Sequence, residues 1–357
     1  MSRFLNRKYQ ELETYIPGEQ PQDMQYIKLN TNESPFPPAP SVLDVINSQE
    51  IEKLRLYSDP ECKSLTNKLA KLYGLLPQQL YLSNGSDDIL NFAFMAFSGN
   101  STEAVFPNIT YGFYKVFANL HSIPYIEIPL KEDFSIDYKD YCNLNKLIVI
   151  ANPNAPTGLT LSVSEIEEIV KTNPNNVVVI DEAYVDFGAE SCYPLINSYD
   201  NLLVIQTFSK SRSMAGARLG FALGSADLIR DLNKIKYSTN PYNINRMTLV
   251  AGEATIEAND YYMEKSRIIA ENRAYTTKAL EKLGFTVIPS KANFIFAKCS
   301  DIEGEYLYEE LKKNGILIRH FTTPIIKDYN RITIGTREQM DIFLDMTKQI
   351  IKERGIK

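Results

Sequence analysis

Four short apolar runs in this sequence end in side chains able to do chemistry. The run NVVVI is followed by Asp181, Glu182, Ala183 and Tyr184, and the run NLLVI by Gln206, Thr207, Phe208, Ser209 and Lys210. KLIVI leads into Ala151, Asn152, Pro153, Asn154, Ala155, Pro156, Thr157 and Gly158, and LYL into Ser83, Asn84, Gly85, Ser86 and Asp87. Together they offer an amine that can add to a carbonyl carbon, an acid that can hold a cationic nitrogen, and a phenol and amides that can meet an oxygen anion. A glycine turn opening a helix can take a phosphate. Each residue also has a plainer use, as a solvated lysine, an N-cap aspartate or a packed tyrosine.

The runs EAVF, YIEIPL, KLIVIANP, NVVVIDEAY, NLLVIQTF and GFALG are mostly continuous rather than alternating, as strands buried on both faces of a parallel sheet are. Helical periodicity lies between them, as in SLTNKLAKLYG with Gly74 as its C-cap and in SDDILNFAFMAF starting near Ser86. Strands alternating with helices predict an α/β domain, with ligands at the carboxyl ends of the strands. Beyond Ile244 a long helical stretch stops at Gly284, and FTVIPS, ANFIFAKC, ILIRHF and RITIGT predict a smaller α+β unit. The stretch Ser34 to Pro40 holds four prolines and reads as an extended arm. The expected division is residues 1–34 as an N-terminal arm belonging to the small domain, 35–265 as the large domain and 266–357 as the small one.

At 357 residues the chain is long enough for two domains. Its net charge of -6 leaves no basic excess for a phosphate backbone, so nucleic acid is not an expected partner. Cys62, Cys142, Cys192 and Cys299 form no CxxC pair and read as reduced thiols, and with His121 and His320 as the only histidines no metal site is expected. The N-terminal MSRFLNRKYQELETY lacks the apolar core of a signal peptide, and no apolar run reaches ~20 residues. The expectation is a cytoplasmic protein with no membrane contact.

Pyridoxal phosphate is the cofactor that asks for this set of groups: a lysine for its aldehyde, a carboxylate for its ring nitrogen, a donor for its phenolic oxygen and an anion site for its phosphate. The sequence resembles the fold-type I pyridoxal-phosphate aminotransferases, and within them the histidinol-phosphate aminotransferases. The resemblance rests on KLNTNESPF, LYSDPECKSL, SNGSDD, ITYGFY, NPNAPTG, VVVIDEAYVDF, TFSKSRSMAGARLGF, GILIRHF and RITIGT, in that order along nearly the whole chain. It implies a mostly parallel seven-stranded sheet between helices, plus the small α+β domain. It implies that Lys210 forms the Schiff base, that Asp181 pairs with the pyridine nitrogen and that Tyr184 meets the phenolic oxygen. Gly85, Ser86, Asp87, Ser209 and Arg218 fall at the phosphate site, Tyr111 at the ring, and Thr207 among the cofactor-binding positions. Tyr57 matches a tyrosine that reaches the phosphate from a neighbouring subunit, which implies a homodimer with shared active sites. Tyr15, Asn32, Arg319 and Arg331 match substrate-binding positions, Arg331 for an α-carboxylate and Arg319 for a phosphate. The implied reaction moves an amino group from glutamate to imidazole-acetol phosphate, giving 2-oxoglutarate and histidinol phosphate.

The sequence departs from the family pattern at one place. The family usually carries asparagine just before PTG, where it contacts the phenolic oxygen, and here that residue is Ala155. Tyr184 then meets that oxygen alone, or Asn154 or a water helps. The resemblance also implies cis peptide bonds at Pro107 and Pro156. Threonine-phosphate decarboxylase and aromatic or broad-range aminotransferases are the alternatives on the same scaffold. A pyridoxal-phosphate-binding sensor lacks its DNA-binding domain here, and a nicotinamide enzyme lacks its GxGxxG.

Overall fold

The computed structural model describes residues 2–99 and 101–354. A short strand β1 (Ile27–Lys28) precedes a seven-stranded sheet made of β2 (Leu80–Ser83), β3 (Ala104–Pro107), β4 (Tyr125–Ile128), β5 (Leu147–Ala151), β6 (Val178–Asp181), β7 (Leu202–Thr207) and β8 (Gly220–Gly224). The strand order is β2-β8-β7-β6-β5-β3-β4. Neighbours from β7 to β4 run parallel, and β8 is antiparallel to both β7 and β2. The inner strands are buried along their whole length, as their continuous apolar runs predict. At the edge, β4 is half-covered, and there Glu127 replaces an apolar residue.

Apolar side chains fill both faces of this sheet. One layer holds Ile148, Ile150, Val178, Ile180, Leu202 and Val204, and the other holds Val149, Val179, Leu203 and Ile205. Alternate residues of one strand therefore serve opposite layers. A third core surrounds a four-stranded antiparallel sheet of β12 (Arg319–His320), β13 (Asn330–Thr333), β10 (Phe294–Cys299) and β9 (Phe285–Ile288). β1 pairs in parallel with β11 (Ile316–Leu317), and Leu29 packs into that third core. The expected boundary at 265 falls inside the helix Asn259–Lys282, which joins the two bodies: Tyr262 packs with the large sheet, Ile269 and Leu280 with the small one.

Two local features differ from expectation. The run ILIRHF is two strands, because the chain changes partner at Ile318: Leu317 pairs with the arm and Arg319 with β13. The cis peptide bonds are Asn152–Pro153 and Ala155–Pro156, so Pro156 follows expectation while Pro107, the last residue of β3, is trans. Among the described residues no helix is long and apolar enough to cross a membrane.

Candidate active site

The carboxyl ends of β2, β5, β6 and β7 open onto one cavity of about 430 Å³. Ser86 and Asp87 stand on one side, Asp181 and Tyr184 on another, and Thr207, Ser209, Lys210 and Arg218 close it. Ala151, Ala155 and Ala183 also line it, and their short side chains leave room for a flat ring.

The anion end is built by close packing. Gly85 caps the helix Ser86–Phe97 with φ +89°. A Cβ there would come within 2.7 Å of the Arg218 guanidinium, and one on Gly220 within 2.5 Å of the Ser86 backbone nitrogen. Only glycine at both places lets β8 and Arg218 lie against the helix N-terminus, whose first amides have no intrahelical acceptor. The Asp87 carboxylate is held by two side-chain donors. It accepts from Tyr111 Oη at 2.7 Å and from Arg218 Nη2 at 3.0 Å, so it fixes an aromatic ring and a cation in place. The Thr207 and Ser209 hydroxyls, both buried, lie 3.0 Å apart beside it.

Asp181 is buried at the end of β6. Tyr114 Oη donates to its Oδ2 at 2.9 Å and the Ala183 N–H to its Oδ1 at 3.2 Å. Burial pushes its carboxyl from 3.8 up to about 6, and these two donors hold it from rising further. A cation placed against it would restore full ionisation. Tyr114 belongs to the ITYGFY segment, but only Tyr111 stood out there; the signal for Tyr114 was its place one helical turn on, facing the sheet. Lys210 Nζ donates to Thr31 O at 3.2 Å and lies 5.7 Å from the Tyr184 ring centre.

A wider cavity of about 760 Å³ adjoins the first and shares Tyr111, Ala155, Tyr184 and Lys210 with it. It leads to Arg319 and Arg331, which are direct cross-strand partners of β12 and β13. Like charges so placed repel unless an anion lies between them. Arg331 Nη2 donates to Asn30 O at 2.8 Å, while its buried Nε has no partner. Burial and Arg319 both draw the Arg331 guanidinium below its ordinary value. Tyr15 lines the same cavity, stacked on Phe113 at 4.2 Å and set edge-on to Tyr111 at 6.3 Å. Glu19, gripped by Tyr308 and Lys312, anchors the arm that carries Tyr15.

One expected cofactor-binding residue, Asn154, is placed otherwise. Asn154 does not reach the cavity: its Nδ2 donates to Ile109 O and Thr157 Oγ1, and its Oδ1 accepts from Thr110. Its amide is consumed in shaping the loop and cannot substitute at Ala155. Asn32 lines the wider cavity with Arg319 and Arg331, and its amide is directed to Tyr184 and Thr333. Tyr57 is 80% exposed, stacked on Tyr242 at 4.5 Å, and lines neither cavity of its own chain.

A family model of class I and II aminotransferases matches residues 24–346. A histidinol-phosphate aminotransferase from Brachyspira hyodysenteriae is 50% identical over 353 residues, covering 99% of this chain and 100% of that one. The histidinol-phosphate aminotransferase of Clostridium acetobutylicum is 46% identical over 351 residues, covering 98% and 100%. A solved structure of a histidinol-phosphate aminotransferase from Clostridium acetobutylicum matches with a TM-score of 0.84 at 25% identity, over 91% of this chain and 99% of that chain. The chain belongs to the class I and II aminotransferase family, and within it to the group named histidinol-phosphate aminotransferases.

Proposed function

We propose that this protein uses pyridoxal phosphate to exchange an amino group between glutamate and the keto partner of histidinol phosphate. The residues present fit the cofactor: a buried carboxyl in need of a cation, an alanine-lined slot, and an anion site at a helix N-terminus beside a guanidinium. Lys210 would bond to its aldehyde carbon, Asp181 would hold its ring nitrogen, Tyr184 its phenolic oxygen, and Ser209, Arg218 and the Ser86 and Asp87 amides its phosphate. When bound, the ring supplies a sink for the electron pair left on a substrate α-carbon.

The chain's own residues do the rest. Lys210 Nζ, as a free amine, would take the substrate's α-proton and hold it for return to the product. The Arg331 guanidinium grips the α-carboxylate by two parallel hydrogen bonds, which its unpartnered Nε allows, and Arg319 meets the second anionic group. The observation that carries the substrate assignment is the direct pairing of Arg319 with Arg331 across two strands. One such pair serves a dianionic amino acid in one half-reaction and an amine phosphate in the other. Tyr57, exposed outside its own cavity, would complete the phosphate site of a second copy in a homodimer.

Single-turnover spectroscopy tests this reading. Glutamate and histidinol phosphate, each added alone to the cofactor-loaded protein, are expected to bleach the visible band without releasing CO2. A band that histidinol phosphate leaves untouched would remove the substrate assignment, and CO2 release would point to a decarboxylase. Arg331→Lys keeps the charge but loses the two-pronged grip. It is expected to lower kcat/KM for glutamate roughly 10–100-fold, at about 1.5–3 kcal/mol for a charged hydrogen bond. Steady-state kinetics on both amines check this: Arg319→Lys should act chiefly on histidinol phosphate.

A further inference from the structure

Residues 30–33 run as a strap over the site, and three consecutive residues of it meet three different reactive groups. Arg331 donates to Asn30 O, Lys210 donates to Thr31 O, and Asn32 Nδ2 donates to Tyr184 Oη at 3.0 Å. The third contact alone is made by a side chain of the strap, and the surroundings of Asn32 fix that side chain. Asn32 is 1% exposed and sits at φ +57°, where asparagine is tolerated better than most residues. Its N–H donates to Thr333 Oγ1 at 3.0 Å, Thr333 Oγ1 donates to its Oδ1 at 3.0 Å, and Asn293 Nδ2 donates to its carbonyl at 2.9 Å. With Oδ1 taken by the Thr333 hydroxyl, the amide must present its NH2 end to Tyr184.

The Tyr184 oxygen therefore accepts from Asn32 and keeps its own proton to donate. Among the described residues no hydrogen-bond acceptor takes that proton, and Tyr184 lines both cavities next to Lys210. Ala155, which lines both cavities as well, has no side-chain donor to add. We infer that Asn32 is a positioning residue: by donating to Tyr184 it aims the Tyr184 proton at the phenolic oxygen of the bound cofactor. This rests on the cofactor reading above. A proton aimed in advance needs no reorganisation during reaction, and an O–H whose oxygen also accepts is the stronger donor. The same amide ties the strap, and with it Arg331, to the cofactor end.

The test reads the pH at which the visible absorbance of the cofactor-loaded protein changes. A donor to the phenolic oxygen draws off negative charge that otherwise holds a proton on the adjacent Lys210 nitrogen. Asn32→Ala weakens that donor, so the midpoint is expected to rise by about 0.5–1 pH unit, the equivalent of one hydrogen bond. Ala155→Asn in the Asn32→Ala background is expected to bring it back by placing an amide in the slot directly. A second readout needs no cofactor: in the empty protein Tyr184→Phe removes the acceptor of Asn32, and amide hydrogen exchange over residues 30–33 should quicken roughly five-fold. If Asn32→Ala does not fold, Thr333→Val, which frees the amide to turn, should shift the midpoint the same way. An unmoved midpoint in a folded variant, a shift that Ala155→Asn leaves in place, or unchanged exchange in Tyr184→Phe each overturns the role of Asn32 while the cofactor reading stands. Absence of any visible band when the wild-type protein is mixed with pyridoxal phosphate overturns both.

Discussion

Lys210→Ala is expected to lower kcat/KM for both amines by ~10⁴-fold or more while leaving the fold intact. Two contributions disappear together: the amine that holds the cofactor's aldehyde carbon ready for exchange, and the base that carries the α-proton, itself worth roughly 10²–10⁴-fold. The fold should tolerate the change because Lys210 is only partly buried and its side chain makes one hydrogen bond, to Thr31 O at 3.2 Å. A small primary amine added to the variant should restore part of the rate, since the missing group is a proton acceptor at a defined place. A variant that keeps more than about a tenth of the wild-type rate would take Lys210 out of the mechanism. The same variant tests the shared site. Mixed with a Tyr57→Ala protein and allowed to exchange subunits, it should recover activity. Each mixed dimer then has one site with both Lys210 and Tyr57 intact, about a quarter of the wild-type total for a statistical mixture. If each chain used its own Tyr57, mixing would recover nothing.

Asp181→Asn is expected to move stability and activity in opposite directions. In the empty protein the Asp181 carboxyl titrates near 6 instead of 3.8, chiefly because it is buried. A carboxyl whose pKa is raised on folding favours the folded state least when ionised. Its penalty is absent below about pH 4, grows from there to pH 6, and is complete above that, at ~3 kcal/mol. Asparagine removes the charge but mismatches one of the two donors, from Tyr114 and Ala183, at a cost of ~1 kcal/mol. The empty variant should thus be more stable than the wild type at pH 8 by ~2 kcal/mol, a rise in Tm of roughly 2–4 °C, with the gain gone at pH 4. Its catalysis should fall ~10²–10³-fold or more, as expected when a preorganised charge is taken from an active site. Melting curves at the two pH values decide the first half. An empty variant no more stable at pH 8 than at pH 4, relative to wild type, would mean that the Asp181 carboxyl is not under strain. A cofactor that brings a cation to this carboxyl relieves the same strain, which links cofactor binding to stability through one residue.

Much of this was legible in the sequence because the chemistry sits at strand ends. A strand buried on both faces of a parallel sheet writes itself as an unbroken apolar run, and the polar residues that follow it mark the ligand side. Asp181, Tyr184, Ser209, Lys210 and the Gly85 turn were found that way, and the structure gathers them around one cavity. Gly74 and Gly284 ended their helices as glycines at positive φ do.

What the sequence could not contain was the direction of each side chain across long separations. Asn154 looked free in NPNAPTG, yet the loop itself uses its whole amide. Asn32 and Tyr184 are 152 residues apart and meet only because β1 pairs with β11, and because Thr333 and Asn293 then seize the chain behind it. Tyr114 reached Asp181 through helix packing, and Arg319 came to face Arg331 through the register of β12 on β13. Local pattern fixes which residue types stand at the end of a strand, since periodicity and turn chemistry act over a few residues. Hydrogen-bond partners and like-charge juxtapositions are set by strand register and by the docking of the arm, and those are decided only when the whole chain has packed.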